Sequence, residues 1–169
     1  ALIFWQAGNV PAMEQDLARA LDRGCLGVSY GIRYSPGIDR RELERTAAVC
    51  RSSDKLIAAH LRSDAGEILD AAREFLDVGR DLGLPVQVSH IGSMAGFGQM
   101  EAFLRLVDEY HMNGLRVSCD CYPYYAFSTT LGSTTYDPGW LERYQCGYDV
   151  IELSQGKNKG QRCTKEIFN

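Results

Sequence analysis

The amino-acid sequence predicts an α/β protein built on a parallel sheet. Segments in which apolar residues recur at helical spacing alternate with short apolar runs, and the connections between them are short. The run Leu56–Leu61 is nearly continuous in apolar residues, which is typical of a strand buried on both faces. Strands joined by helices of this length must be parallel, with right-handed crossovers. Periodicity alone leaves open whether they form an open doubly wound sheet or part of a barrel.

Local signals define the helices. The first is predicted from Pro11, which suits a first turn, to the residue before Gly24. Asp39 and Glu42 have the spacing of a capping box and begin a second helix that runs to about Arg51. Two further helices have strong apolar stripes and are predicted at about residues 65–82 and 99–112.

The predicted strands lie between these helices, at residues 25–31, 56–61, 85–91 and 115–122, with a loop at residues 92–98. The alternation ends near Thr130. We therefore predict that residues 1–130 form successive βα units and that residues 131–169 form an irregular segment. Within that segment we predict a helical turn at Trp140–Tyr144 and a short strand at Tyr148–Leu153.

Composition indicates an ordinary globular protein. Of the 169 residues, 45% are hydrophobic and 24% are charged. The sequence contains no apolar run of about 18 residues, so no membrane span is predicted. Basic residues are scattered through a chain of net charge −4, so a nucleic-acid partner is not predicted either. A small-molecule partner is compatible with this charge.

Cysteine usage favours a reducing compartment. The six cysteines include no C-x-x-C pair, and a chain of this length does not need disulfides to fold. We predict reduced thiols and a cytoplasmic location. Cys119 and Cys121 flank Asp120 in a predicted strand, so their side chains are expected on one face. Packing, soft-metal ligation and thiol chemistry stay open for these two residues.

Two histidines lie at equivalent positions of consecutive strands. Parallel α/β folds bind ligands at the carboxyl ends of their strands. The second predicted strand ends in His60 and the third in His90. Neutral imidazole is a common zinc ligand, so the pair predicts a metal site. The alternative is two packed histidines at the rim of the sheet.

Three more polar residues are candidates for the same region. Arg62 is a candidate to clamp a substrate carboxylate, or else to form an ion pair between loops. Tyr34, in a Pro-Gly loop, is a candidate hydrogen-bond donor to substrate or a packed aromatic residue. Asp120 is a candidate general acid or base, or an acceptor for backbone amides.

Four segments resemble, in order, the motifs of one family. Gly24 to Gly37 resembles "G-x-x-G-x-S-x-G-x-x-Y-x-P-G", and His60-Leu61-Arg62 resembles "H-x-R". Gly79 to His90 resembles "G-R-x-x-G-x-P-V-x-x-S-H", and Asp120 to Thr129 resembles "D-x-Y-P-Y-x-x-x-S-T". These motifs are typical of the D-aminoacylases, or N-acyl-D-amino-acid deacylases, of the amidohydrolase superfamily. The resemblance covers roughly residues 11–135.

The resemblance implies a zinc-dependent hydrolase of an amide bond on a (β/α)₈ barrel. The chain would then supply about strands 4–7 of the barrel. His60 and His90 would be the metal ligands on the fifth and sixth strands, for one or two zinc ions in the full-length protein. The implied substrate is an N-acyl amino acid or a related amide. The residues implied to contact it are Tyr34, Arg62, Tyr122 and Ser128.

The sequence departs from the family pattern at three points. The H-x-H motif of the first strand and the catalytic Asp of the eighth strand are not found in this sequence. Gly92 stands where family members often carry a lysine near the substrate carboxylate. We therefore expect a central fragment of a deacylase-like hydrolase. The alternatives are an inactive truncated fragment that persists as a homo-oligomer, and a hydrolase of a different amide or cyclic amide.

Overall fold

The computed structural model describes residues 9–53 and 55–169, which form two compact units, the first ending at Tyr125 and the second spanning Ala126–Asn169. The helices and strands of the first unit are α1 (Val10–Asp22), β1 (Gly27–Gly31), α2 (Arg40–Ala48), β2 (Leu56–His60), α3 (Ile68–Leu82), β3 (Val86–Val88), α4 (Gly92–Ala95), α5 (Met100–Met112) and β4 (Val117–Cys119). The second unit contains α6 (Trp140–Tyr144) and α7 (Lys165–Phe168).

In the described part of the first unit, four strands form one parallel sheet in the order β1-β2-β3-β4. In this sheet Gly31 pairs with His60, Ala59 with Val88, and Val88 with Cys119. The predicted α/β class with a parallel sheet is confirmed. All four strands are shorter than predicted.

Side-chain and glycine caps define the helix ends. The Oδ1 atom of Asn9 accepts a hydrogen bond from the Ala12 amide at 3.2 Å, and that of Asp39 accepts from the Glu42 amide at 2.8 Å. The cap at Asp39 satisfies one of the first-turn amides that lack a partner within a helix, whereas the Ala12 amide is shared with the Asn9 carbonyl at 3.1 Å. Gly83 ends α3 in the left-handed conformation, with φ of +68°, which glycine adopts without steric cost.

Three predicted boundaries need correction. The helix that begins after Asp39 ends at Ala48, and a 3₁₀ helix (Val49–Ser53) follows it. The helix predicted from residue 65 begins with a 3₁₀ turn (Ala65–Glu67). The predicted loop at residues 92–98 contains the short helix α4. In each case a single turn at a helix end or in a loop adopts local i→i+3 or i→i+4 bonds, which apolar periodicity does not detect.

The core of the first unit lies between the sheet and its helices. Its largest fully buried side chains are Ile32, Leu43, Ile57, Leu61, Ile68, Phe75, Leu76, Met94 and Phe103. Gly79 lets α3 approach β3 closely, since a Cβ atom there would lie 2.1 Å from Cγ2 of Val86. Packing of helices on the sheet thus holds the strand ends, where the candidate site residues lie.

The second unit is organised around Trp140. The rings of Tyr136, Tyr148 and Phe168 lie with centroids 5.2–5.6 Å from the Trp140 ring. The predicted helical turn at Trp140–Tyr144 is confirmed as α6.

The predicted strand at Tyr148–Leu153 is wrong. Residues Tyr148–Val150 form a 3₁₀ turn in which the Ile151 amide donates to the Tyr148 carbonyl at 3.0 Å. In a strand, the Ile151 amide would instead donate to a neighbouring strand. Beyond it, the described pairing is a single antiparallel bridge between Glu152 and Arg162.

No helix among the described residues combines the length and the apolar character needed to cross a membrane.

Candidate metal centre at the strand ends

The structure brings His60 and His90 into direct contact. His60 is the last residue of β2, and His90 follows the end of β3 by two residues. The Nε2 atom of His90 lies 2.7 Å from the Nδ1 atom of His60, which is a hydrogen-bond distance. The ring centroids are 4.6 Å apart. Adjacent parallel strands therefore place two imidazole nitrogens at one point beyond the sheet.

The surroundings keep both imidazoles uncharged. Burial, together with the neighbouring His90, lowers the pKa of His60 to about 4. Burial also lowers the pKa of His90, while the carboxylate of Asp120 opposes that shift. An unprotonated ring nitrogen has the lone pair that a metal ion needs.

A largely buried ion pair lies beside His60. The Nη2 atom of Arg33 is 3.8 Å from the Oδ1 atom of Asp64, and both side chains are about nine-tenths buried. Arg33 lowers the pKa of His60 and Asp64 raises it. Sequence reasoning missed this pair, although both residues follow strand ends closely and could have been found by surveying polar residues there.

Tyr34 joins the histidine pair. It closes a 3₁₀ turn (Ile32–Tyr34) after β1, and its ring centroid lies 4.9 Å from that of His60. The residue remains 55% exposed. The tyrosine thus lies next to the imidazoles and stays accessible to solvent.

Arg62 donates four hydrogen bonds to protein groups. Its Nε and Nη2 atoms donate to the two carboxylate oxygens of Glu74 at 2.8 Å. Its Nη1 and Nη2 atoms also donate to the carbonyls of Pro36 and Ile38, at 2.9 and 2.5 Å. Arg62 thereby ties the loop after Tyr34 to helix α3. A substrate-clamping role for Arg62 stays a prediction, in which a carboxylate would have to compete with Glu74.

The remaining predicted residues lie farther along the chain. Tyr122 is half-buried and follows β4 by three residues. Ser128 is exposed, in a stretch of the second unit without helix or strand. Substrate contact by either residue stays a prediction.

Asp120 contacts the backbone of His90. The Oδ1 atom of Asp120 accepts a hydrogen bond from the His90 amide at 2.5 Å, and its Oδ2 atom accepts one from Nε2 of Gln87 at 2.8 Å. His90 has a φ of +42°, in the left-handed region, which costs a non-glycine residue about 1–2 kcal/mol. Gln87 was missed from the sequence, because its position inside a strand gives no sign of function.

The histidine pair fits part of a zinc site. Two neutral imidazoles are typical zinc ligands, and a shift of the bridging proton to another ring nitrogen frees both facing lone pairs. Among residues 9–53 and 55–169, no group of three or more His, Cys, Asp or Glu side chains is arranged to hold a metal. The described residues therefore supply two candidate ligands of the four that zinc usually takes.

Comparison with known proteins agrees with the motifs. No family model matches the chain. It is 36% identical over 124 residues to an N-acyl-D-glutamate deacylase of Alcaligenes xylosoxydans xylosoxydans, a match that covers 71% of this chain and 25% of that protein. A D-aminoacylase of the same organism is 34% identical over 128 residues, covering 73% of this chain and 26% of that protein. The matched region is homologous to the N-acyl-D-amino-acid deacylases. The resemblance inferred from the motifs is confirmed, and the chain spans about a quarter of the length of these relatives.

Solved deacylase structures also match the fold. The N-acyl-D-glutamate deacylase of Bordetella bronchiseptica, complexed with zinc and a phosphonate mimic of the tetrahedral intermediate, superposes with a TM-score of 0.73 at 29% identity. That match covers 94% of this chain and 33% of the deacylase chain. A D-aminoacylase with a binuclear metal centre matches with a TM-score of 0.63 at 27% identity, over 71% of this chain and 26% of that one.

The resemblance places Gly92 where deacylases often carry a lysine. Gly92 is the first residue of α4. A Cβ atom on residue 92 would lie 2.7 Å from the Sγ atom of Cys121. In this chain a thiol therefore occupies the space that a longer side chain at position 92 would need.

Proposed function

We propose that this chain carries part of the zinc site of a hydrolase that cleaves the amide bond of N-acyl-D-amino acids. His60 and His90 are the proposed metal ligands. The observation that carries the proposal is the contact of their ring nitrogens, 2.7 Å apart at the ends of adjacent parallel strands, in a chain homologous to deacylases.

The proposed scaffold is part of a (β/α)₈ barrel, about strands 4–7. The strand order β1-β2-β3-β4 follows the chain without reversal. A doubly wound sheet reverses its strand order at the ligand site, whereas a barrel keeps sequential neighbours paired. The observed order therefore supports the barrel.

The chain's own residues have defined tasks in this proposal. Burial keeps both imidazoles in the unprotonated form that binds metal. Tyr34, beside His60 and accessible, offers its hydroxyl to the substrate. Zinc, when bound, polarises the amide carbonyl and lowers the pKa of a bound water. The two described ligands do not complete its coordination, so other groups must take part.

The substrate is proposed to be an N-acyl-D-amino acid, with a different amide or cyclic amide as the second candidate. The position of Cys121 against Gly92 favours this second candidate, because a lysine cannot enter without displacing the thiol. A panel of N-acyl-D-glutamate, a neutral N-acyl-D-amino acid and a cyclic amide decides between the two. A kcat/KM that is highest for the cyclic amide would exclude the deacylase assignment.

An inactive chain that persists as a homo-oligomer is the alternative to an enzyme. In the described sheet β1 and β4 are the outer strands, each paired on one side only, and such edges are able to pair with other chains. Light scattering tests this alternative: it requires a homo-oligomer without hydrolytic activity, and a stable monomer contradicts it.

The cytoplasm is the proposed location. All six cysteines lie among the described residues and are unpaired thiols, as expected for a reducing compartment.

Zinc analysis of three histidine variants tests the metal assignment. His60→Ala and His90→Ala should each lower the zinc content per chain. His111→Ala is the matched control, because His111 is exposed in the last turn of α5, and it should retain zinc. Equal zinc content in all three variants and the wild-type chain would exclude His60 and His90 as ligands.

A further inference from the structure

The pattern of hydrogen bonds between β3 and β4 changes at the end of β3. Within the ladder, the Val86 amide donates to the Arg116 carbonyl at 2.8 Å, and the Asp120 amide donates to the Val88 carbonyl at 3.2 Å. In a parallel ladder every second residue of a strand donates to the same neighbour. The next donor from β3 should therefore be the His90 amide, and its acceptor should be the Asp120 carbonyl.

The observed bond is shifted by one residue. The Ile91 amide, not that of His90, donates to the Asp120 carbonyl at 2.9 Å. The His90 amide instead donates to the side-chain Oδ1 atom of Asp120 at 2.5 Å. One extra residue, His90, is thus inserted into the strand as in a β-bulge, and its φ of +42° is the left-handed conformation that such an insertion often uses.

The carboxylate of Asp120 is itself held by a chain of side chains. Its Oδ2 atom accepts from Nε2 of Gln87 at 2.8 Å. The Oε1 atom of Gln87 in turn accepts from the Ser118 hydroxyl at 2.5 Å. Gln87 and Ser118 are register partners on neighbouring strands, so the sheet itself fixes this chain of bonds.

We propose that Asp120 is a positioning residue, whose carboxylate replaces a backbone acceptor and so holds His90 in the inserted conformation that brings its ring to His60. Without this acceptor the His90 amide would return to the ladder. Its φ would then become negative and its side chain would leave His60. Gln87 and Ser118 orient the carboxylate. The consequence for metal binding rests on the proposed zinc site, but the effect on the histidine pair does not.

Two properties of the Asp120 variants test this role. The chain has three histidines, so ¹⁵N-labelled histidine gives a simple spectrum in which the ring nitrogens of His60 and His90 can be assigned. In Asp120→Ala the hydrogen bond between the two rings should disappear from the metal-free spectrum. Zinc affinity, measured by competition with a chromogenic chelator, should fall about 10- to 100-fold, as for other residues that orient metal ligands.

Asp120→Asn should rescue both properties. Its carbonyl oxygen still accepts the His90 amide, and a flip of the Gln87 amide satisfies the new NH₂ group, because the Ser118 hydroxyl is able to accept as well as donate. A role that requires only the negative charge predicts no rescue. Asp108→Ala, which removes an exposed aspartate in α5, is the matched control and should change neither property.

The outcomes separate this inference from the proposed function. An unchanged ring hydrogen bond in folded Asp120→Ala overturns the positioning role, whatever the zinc affinity. A wild-type chain that shows the ring bond but no zinc binding excludes the zinc site and leaves the spectroscopic test intact. Should Asp120→Ala fail to fold, Gln87→Ala takes its place: a weakened ring bond supports the role, and a spectrum identical to wild type contradicts it.

Discussion

The two units of the chain obtain their order in different ways. In the first unit a parallel ladder sets the register of the strands, and helices bury aliphatic and phenylalanine side chains against it. In the second unit the described backbone pairing is one bridge, and aromatic rings around Trp140 supply the core. The histidine pair lies in the first unit, where two neighbouring strands of the ladder end and the ring nitrogens approach to 2.7 Å.

Truncation of a fully buried phenylalanine in the core of the first unit should have the greatest effect. Phe75 is fully buried in α3, with its ring edge-to-face with Tyr30 at 5.9 Å. Phe75→Ala should lower the free energy of unfolding by about 3–5 kcal/mol, because it removes buried area and leaves a cavity. Urea unfolding followed by circular dichroism measures the change. Leu104→Ala, at a position 42% exposed on α5, is the control and should cost less than about 1 kcal/mol. Equal losses would mean that the sheet unit is not stabilised by this core.

Trp140→Ala should have the next largest effect, and it tests whether aromatic packing orders the second unit. Trp140 is 5% exposed and contacts three aromatic rings. We expect a loss of about 3 kcal/mol in the opening free energy of that unit. Hydrogen exchange at the Cys163 amide, which donates to the Ile151 carbonyl at 2.8 Å, reports the opening. Val150→Ala, at a position 54% exposed, should leave the exchange rate nearly unchanged. If both variants exchange alike, backbone bonds rather than the aromatic cluster order this unit.

Arg62→Ala tests whether a side chain that holds a loop stabilises the first unit in addition to the backbone ladder. The variant should lower the free energy of unfolding by about 1–2 kcal/mol, since charge-assisted bonds to Glu74 and two carbonyls are lost. A double-mutant cycle with Glu74→Ala should show coupling of about 1 kcal/mol. Arg73→Ala, which removes an exposed arginine paired with the exposed Asp70, is the control and should cost less. No loss of stability in Arg62→Ala, together with a raised KM, would instead support the substrate-clamping role.

The smallest effect concerns the reactivity of two thiols of the first unit, Cys119 and Cys121. Burial raises the pKa of Cys119 to about 11. At pH 8 about one Cys119 thiol in a thousand is ionised, so alkylation should be slow and should rise about tenfold per pH unit up to pH 11. Mass spectrometry after timed alkylation should show the exposed Cys121 modified first. Equal rates for Cys119 and Cys121 at pH 8 would contradict the shielding.

The sequence predicted those features that depend on local patterns. Apolar periodicity with glycine, proline and capping signals gave the order of the elements in the first unit. The meeting of His60 and His90 followed from parallel strands, whose carboxyl ends lie side by side. Asp39 was recognised as a helix cap from the spacing to Glu42.

Features that depend on tertiary contacts could not be predicted in this way. The one-residue shift at His90 requires Asp120, which is 30 positions away, to replace a backbone acceptor. The partners of Arg62 come from a loop and a helix on either side of it in sequence. In the short apolar segment at Tyr148–Leu153, a local turn takes the amides of Val150 and Ile151, and among the described residues the remainder pairs only through the bridge between Glu152 and Arg162.

The most direct test of the histidine pair as a metal centre is anomalous scattering at the zinc absorption edge from crystals grown with zinc. We expect a peak at the ends of β2 and β3, next to the imidazoles of His60 and His90, and the loss of that peak in His90→Ala. A peak confined to His111 or to the cysteines, or no peak at the ends of β2 and β3, would contradict it.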